Sequence, residues 1–553
     1  MRTQPASALS APPSTLAVVL ARIDAQRLVG VLAAILLGIA IGHTVQTWLS
    51  YDEVWTHPEL IGAGAHVWSD PQSEHLGDRL ARVAEINDDN RVRPLSKAAE
   101  VLDGIARPYV ARMLVPHPAL TPFTVLALVL PPTLLFLSLR RMGLGLLPSA
   151  ALLLVFLSCT GFMSTIVAFD RPAKKLTFIF FSLAFYFAVR HERTRGVGSF
   201  LACIAALLCG FFSDEEDLVF FVVFGAIFAT SLLVRAPNWK RVTFLALPLV
   251  FVVVAQWGLS ALYRLAGTLP NFDPLGESEK YRLLAAVVRP DFYNLGLHGL
   301  AQGMLSTVGV RVHDRFTEVA VLGILFGASA ILVYRLWREP GGRATAYRLL
   351  SVTLALTAVG LYVTLLDQYP TPGSFGTNGR GYMGEFTYYY HSSMALFVVL
   401  WLACAWQALL AIARSARVKH AVVGVGVALC AAVFVANVSL FEDVNRLLQI
   451  IHTYPYSSPQ MYDVLLAELP TIRNSAPDQP ITVNFRSNEQ ELSQQFDDAL
   501  TRVFGRDMDT SNNGFYLTMQ YFRDHPMMGR ENLQFTLHMY FPYNSFRVLM
   551  NGA

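Results

Sequence analysis

The chain has 553 residues, 54% of them hydrophobic and 15% charged, with a formal net charge of +3. A soluble domain is about 45–50% apolar and about 25% charged, and two soluble domains would suit the length. The arrangement excludes them, because apolar runs long enough to cross a bilayer recur along the first 440 residues. So small a net charge, with no basic face, argues against a nucleic-acid partner.

A bilayer core takes about 20 mostly apolar residues in helical form. Runs of that kind predict an α-helical polytopic membrane protein with about eleven transmembrane helices. They fall at 28–48, 121–138, 144–163, 175–190, 198–212, 217–234, 242–264, 317–336, 348–366, 390–413 and 420–440. Residues 1–27 form a tail without a small-residue cleavage site, so the first run reads as an uncleaved span.

Lys and Arg collect in one set of alternate loops, which predicts their side as cytoplasmic. The set holds Arg140 and Arg141; Arg190, Arg193 and Arg195; Arg235, Lys240 and Arg241; Arg335, Arg338, Arg343 and Arg348; and Arg414, Arg417 and Lys419. The N-terminal tail, with Arg2, Arg22 and Arg27, belongs with them. The other loops, at 49–120, 164–174, 213–216, 265–316, 367–389 and 441–553, are mostly longer and carry nearly all the acids. Polar machinery is therefore expected on the extracytoplasmic face. Spans almost free of charge, with no internal repeat, count against alternating-access transport.

From about residue 441 the chain becomes polar. Alternation predicts strands at 480–486, 514–522 and 533–541, and periodicity an amphipathic helix at 489–504. We expect a small extracytoplasmic α+β domain over 441–553. The cysteines Cys159, Cys203, Cys209, Cys404 and Cys430 all lie in apolar segments without metal-ligand spacing, and predict neither a disulfide framework nor a zinc site.

Five places could carry chemistry. Asp52 and Glu53 follow the first span, where a carboxylate can deprotonate an acceptor hydroxyl or hold a divalent cation; a solvated helix end is the plainer reading. Arg91 and Arg93 precede Pro94, and their guanidinium forks suit phosphates. Behind them, residues 96–111 read as an amphipathic helix on the membrane surface or a packing helix. Arg171, Lys174 and Lys175 place three cations on the far side, against the positive-inside trend, where an anionic phosphate or Asp170 could partner them.

Asp214, Glu215, Glu216 and Asp217 crowd one turn after Ser213 and could share a cation such as Mg or Mn, though capping of the next helix accounts for one or two of them. Arg380 and His391 bracket a Gly- and Pro-rich loop ending in Tyr388, Tyr389 and Tyr390. They could meet a phosphate or sugar hydroxyls, while an aromatic belt explains the tyrosines. Phosphate-loop, nucleophile-elbow and HExxH patterns are absent from the sequence.

Over roughly 28–440 this layout resembles the GT-C class of membrane glycosyltransferases. The resemblance rests on Asp52-Glu53 after the first helix, Arg91-Val92-Arg93-Pro94-Leu95-Ser96 in the first long loop, the acidic turn at 213–217, and Tyr388-Tyr389-Tyr390-His391 at a helix entry. The last motif departs from the family pattern, with Thr387 near the expected Arg. The resemblance implies a bacterial inner-membrane enzyme taking sugar from a polyprenyl-phosphate donor. The acceptor would be a glycan, a lipid or a protein. It also implies Asp52 as general base, Glu53 as its helper, and inversion in one displacement. Arg91, Arg93, Arg171, Lys174, Arg380 and His391 would hold the donor phosphate. Two other readings compete: a non-catalytic protein handling polyprenyl lipids or glycans, such as a flippase or export component, and a scaffold whose tail binds a partner.

Overall fold

Lipid offers a backbone no hydrogen-bond partners, so an apolar chain placed in it satisfies its own N–H and C=O groups by forming helices. The computed structural model describes residues 15–50, 122–167, 172–213, 290–310, 315–368, 392–453, 481–487, 533–540 and 545–550, with isolated positions in 95–102 and 239–258. Its helices are α1 Thr15–Ser50, α2 Pro122–Met142, α3 Leu146–Ser158, α4 Thr160–Val167, α5 Pro172–Thr194, α6 Val197–Phe211, α7 Pro290–Thr307, α8 Arg315–Arg338, α9 Arg343–Gln368, α10 Ser392–Ile412 and α11 Ala416–Thr453. Among the described residues six helices are long and apolar enough to cross a membrane, in α1, α2, α8, α9, α10 and α11. The expected spans at 217–234 and 242–264 lie outside the described residues, apart from isolated positions in the second.

α3 forms the middle of the core. It is apolar on every side, and nearly all of it from Pro148 to Ser158 is buried between α1, α2, α10 and α11. α1 meets it through small residues at helical spacing, Ala33, Ala40 and Thr44. Pro131 and Pro132 interrupt the hydrogen-bond ladder of α2. Thr133 Oγ1 donates to the Val129 carbonyl at 2.7 Å in the same stretch. At the end of α2, Gly143 adopts φ +104°, and Leu144 N–H reaches back to the Leu139 carbonyl, which closes the helix.

α5 and α6 form an antiparallel hairpin. Arg195 turns the chain at φ 54°, Arg195 N–H donates to the His191 carbonyl at 2.8 Å, and the His191 and Phe200 rings meet at 5.4 Å. Ser415 Oγ accepts from Val418 N–H at 3.2 Å and starts α11. Among the described residues, the basic positions at 140–141, 190–195, 335–348 and 414–419 share one end of the bundle. There Arg348 pairs with Glu192 at 3.3 Å and Arg414 with Glu339 at 3.2 Å. Arg141 lies over the Tyr186 ring, and Gln407 Nε2 donates to the Met142 carbonyl.

The structure corrects three expectations. The span expected at 144–163 is two helices, broken at Cys159, which is extended with φ −69° and ψ 145°. The loop expected at 265–316 contains α7, whose Leu300, Ala301, Met304 and Leu305 are buried against the bundle. Polar residues such as Asn294, His298 and Gln302 interrupt its apolar run in the sequence, so a hydropathy pattern set for lipid contact passes over it. Thirdly, α11 continues through the expected boundary at 440 to Thr453.

α7 fits through glycines. A Cβ on Gly303 would collide with the Met394 thioether, and one on Gly360 would meet Leu300 at 2.7 Å. Gly303→Val is therefore expected to lower stability by about 1–3 kcal/mol, read as a lower melting temperature in detergent. Between α8, α9 and α10, Trp401 Nε1 donates to Ser329 Oγ at 2.9 Å, and Ser329 Oγ lies 3.0 Å from Thr353 Oγ1. Ser329→Ala strands the buried indole N–H and should cost about 1 kcal/mol in the same measurement.

In the tail, β1 Ile481–Ser487 pairs in parallel with β2 Leu533–Tyr540, and β2 pairs antiparallel with β3 Ser545–Met550. β1 and β2 fall where alternation predicts strands; β3 falls where it predicted none. The expected helix at 489–504 and strand at 514–522 lie outside the described residues.

Candidate functional site

The end of the bundle away from the basic loops carries the candidate site. α5 begins with Pro172 at its first helical position, which suits a residue without an N–H. Lys174 and Lys175 follow within the first turn. Lys174 is 8% exposed and Lys175 is fully buried. Lys175 Nζ donates to Thr124 Oγ1 at 2.7 Å, joining the starts of α5 and α2. A helix N-terminus is already positive, so cations there are disfavoured by about 0.3–1 kcal/mol each. Burial adds a larger penalty. Two ammonium groups in the first turn of a helix give this spot the chemistry to meet an anion.

Because α5 and α6 are antiparallel, the C-terminal end of α6 lies at the same end of the bundle. Leu95 N–H donates to the Phe212 carbonyl at 3.1 Å. That bond seats the 95–99 stretch on the end of α6, with Ser96 and Ala99 buried. Leu95 is two residues from Arg93, and Phe212 two residues before Asp214. Two described positions 117 residues apart in sequence therefore meet, and the motifs that border them lie outside the described residues. Ser213 is fully buried, and its Oγ donates to the Cys209 carbonyl at 2.8 Å.

Of the charged residues singled out by sequence, Lys174 and Lys175 are described, and both lie inside α5, whereas Lys174 was expected in the loop at 164–174. Asp52, Glu53, Arg91, Arg93, Arg171, Asp214, Glu215, Glu216, Asp217, Arg380 and His391 lie outside the described residues. Among the described residues no group of three His, Cys, Asp or Glu side chains could hold a metal ion. All five cysteines are free.

Sequence reasoning passed over Thr124, an ordinary Thr near a helix start with no local signal. It also passed over Asn437, which is fully buried and bonds to Ser158 and to the Thr307 carbonyl. An Asn inside the apolar run of α11 was the available signal, since polar side chains within spans are rare.

No protein-family model, curated protein or solved structure matches this chain. The fold by itself gives the class, a helical membrane protein with several membrane-spanning helices.

Proposed function

We propose that the chain is an inverting glycosyltransferase of the GT-C type. It would have about eleven spans in a bacterial inner membrane, a cytoplasmic N-terminus and a small extracytoplasmic α+β tail. It transfers a sugar from a polyprenyl-phosphate donor to a glycan, lipid or protein acceptor on the extracytoplasmic face. The observation that carries this reading is the buried Lys174–Lys175 pair in the first turn of α5, beside Thr124. A lipid-linked phosphate brings its anion to this depth, where its hydrocarbon tail stays in the bilayer. The Leu95–Phe212 hydrogen bond supports the reading, since Leu95 and Phe212 adjoin in sequence the Arg91–Arg93 and 213–217 motifs on which it draws.

In this reaction Asp52 takes the proton of an acceptor hydroxyl, and the oxygen attacks the anomeric carbon opposite the phosphate. The bond from that carbon to the phosphate oxygen breaks, and polyprenyl phosphate leaves with its extra negative charge. Glu53 orients the acceptor or supports a divalent cation. Lys174, with Arg91, Arg93, Arg171, Arg380 and His391, stabilises the departing phosphate, whose charge grows in the transition state. One base suffices for a single displacement, unlike the paired carboxylates of glycosidases.

The test supplies membranes containing the full-length protein with a panel of radiolabelled polyprenyl-phosphate sugars and measures label in lipid, glycan and protein fractions. Transfer that depends on the protein supports the proposal. Transfer absent across a broad panel of donors and acceptors moves the reading to a non-catalytic protein that handles polyprenyl lipids.

A further inference from the structure

Asn437 stands in the half of α11 away from the basic end, inside an apolar run, and is fully buried. Its Nδ2 donates to Ser158 Oγ at 3.1 Å and to the Thr307 carbonyl at 3.1 Å. A carbonyl can only accept, so the amide nitrogen must face Thr307, and the orientation of the group is forced by its partners. Its Oδ1 is then a buried acceptor with no hydrogen-bond partner among the described residues. An oxygen in that position bears its full desolvation penalty unless a ligand meets it.

Two helices end at this amide. α3 stops at Ser158, before the extended Cys159, and α7 stops at Thr307. Each turns its carbonyl end, the negative pole of its dipole, toward the same buried region. Close packing holds them there: Gly309 adopts φ +71°, and a Cβ on it would collide with the Ala436–Asn437 backbone. Thr44 Oγ1, which donates to the Ala40 carbonyl at 2.9 Å, lies 3.4 Å from the Leu157 carbonyl, and Thr160 Oγ1 lies 3.4 Å from the Ser306 carbonyl, so two further neutral oxygens stand near these helix ends. Among the described residues no cluster of carboxylates, imidazoles or thiols gathers here. Neutral oxygens at the C-terminal ends of interrupted helices suit a singly charged alkali cation. A divalent ion prefers carboxylates.

The geometry points to a monovalent-cation site, for sodium or potassium, at the α3–α4 break, with Asn437 Oδ1 as its side-chain ligand. The ion neutralises two converging helix ends inside the membrane and holds α3, α7 and α11 together. This inference is independent of the glycosyltransferase reading.

The test is thermal unfolding of the full-length protein in detergent, at constant ionic strength, in sodium, potassium or N-methyl-D-glucamine chloride. Wild type should melt about 3–5 °C higher in at least one alkali salt than in the organic cation. Asn437→Leu should lose that difference. Asn437→Asp adds a carboxylate and should lower the half-saturating salt concentration about tenfold. Equal melting of wild type in all three salts overturns the site, since Oδ1 is then met by water. A cation response unchanged in both variants overturns it too. Where Asn437→Leu does not fold, Asn437→Asp decides alone.

Discussion

Membranes carrying Asp52→Asn should transfer sugar about 100- to 10,000-fold more slowly than wild type at equal protein level, the usual contribution of a positioned general base. Asn keeps the size and shape of Asp but cannot accept the acceptor hydroxyl's proton. Donor binding should stay near normal, because the proposed site holds the phosphate with cations elsewhere. The loss should therefore appear in kcat with little change in the donor KM. Glu53→Gln should cost less, since in the proposed reaction Glu53 orients the acceptor or supports a cation and does not take the proton. Full transfer by both variants would sink the assignment of this acidic pair.

Lys175→Met should lower kcat/KM for the lipid-phosphate donor about 30- to 100-fold, because the phosphate loses a cation in a dry site where each charge weighs heavily. Met has nearly the length and volume of Lys, so packing against α2 survives. The stability measurement separates this role from a structural one. Lys175→Met removes the bond to Thr124, a modest loss of about 1 kcal/mol, so the melting temperature should fall by only a few degrees while activity falls far more. A variant that loses stability in step with activity would mark Lys175 as a structural residue and remove the main support for the anion site. Lys174→Met should act the same way, more weakly, because Lys174 keeps 8% exposure.

Apolar runs mark α1, α2, α8, α9 and α10 well, because a helix facing lipid must be apolar along its length whatever packs on its other side. The same rule misreads α7. Asn294, His298 and Gln302 break its apolar run in the sequence, and its packing relies on glycines such as Gly303. The break at Cys159 left no local mark, since no proline or glycine stands at that position in the run from Leu146 to Val167. Alternation indicates β1 and β2, but β3 is short, and only residues 541–544 separate it from β2 in the sequence.

The candidate site divides in the same way. Lys174 and Lys175 stood out in the sequence as cations on the wrong side, and their chemistry was legible there. Their burial was not, because it depends on how α2 and α6 pack against α5.

The sequence alone determined that this is a helical membrane protein, and which loops share the basic end. Both follow from the cost of placing polar groups in hydrocarbon, a property each segment carries by itself. Only the tertiary structure decided that Lys175 meets Thr124, that the stretch at Leu95 seats on Phe212, and that Asn437 joins the ends of α3 and α7. Those contacts join residues between 51 and 279 positions apart, and such pairings depend on how helices pack against one another, which no single segment encodes.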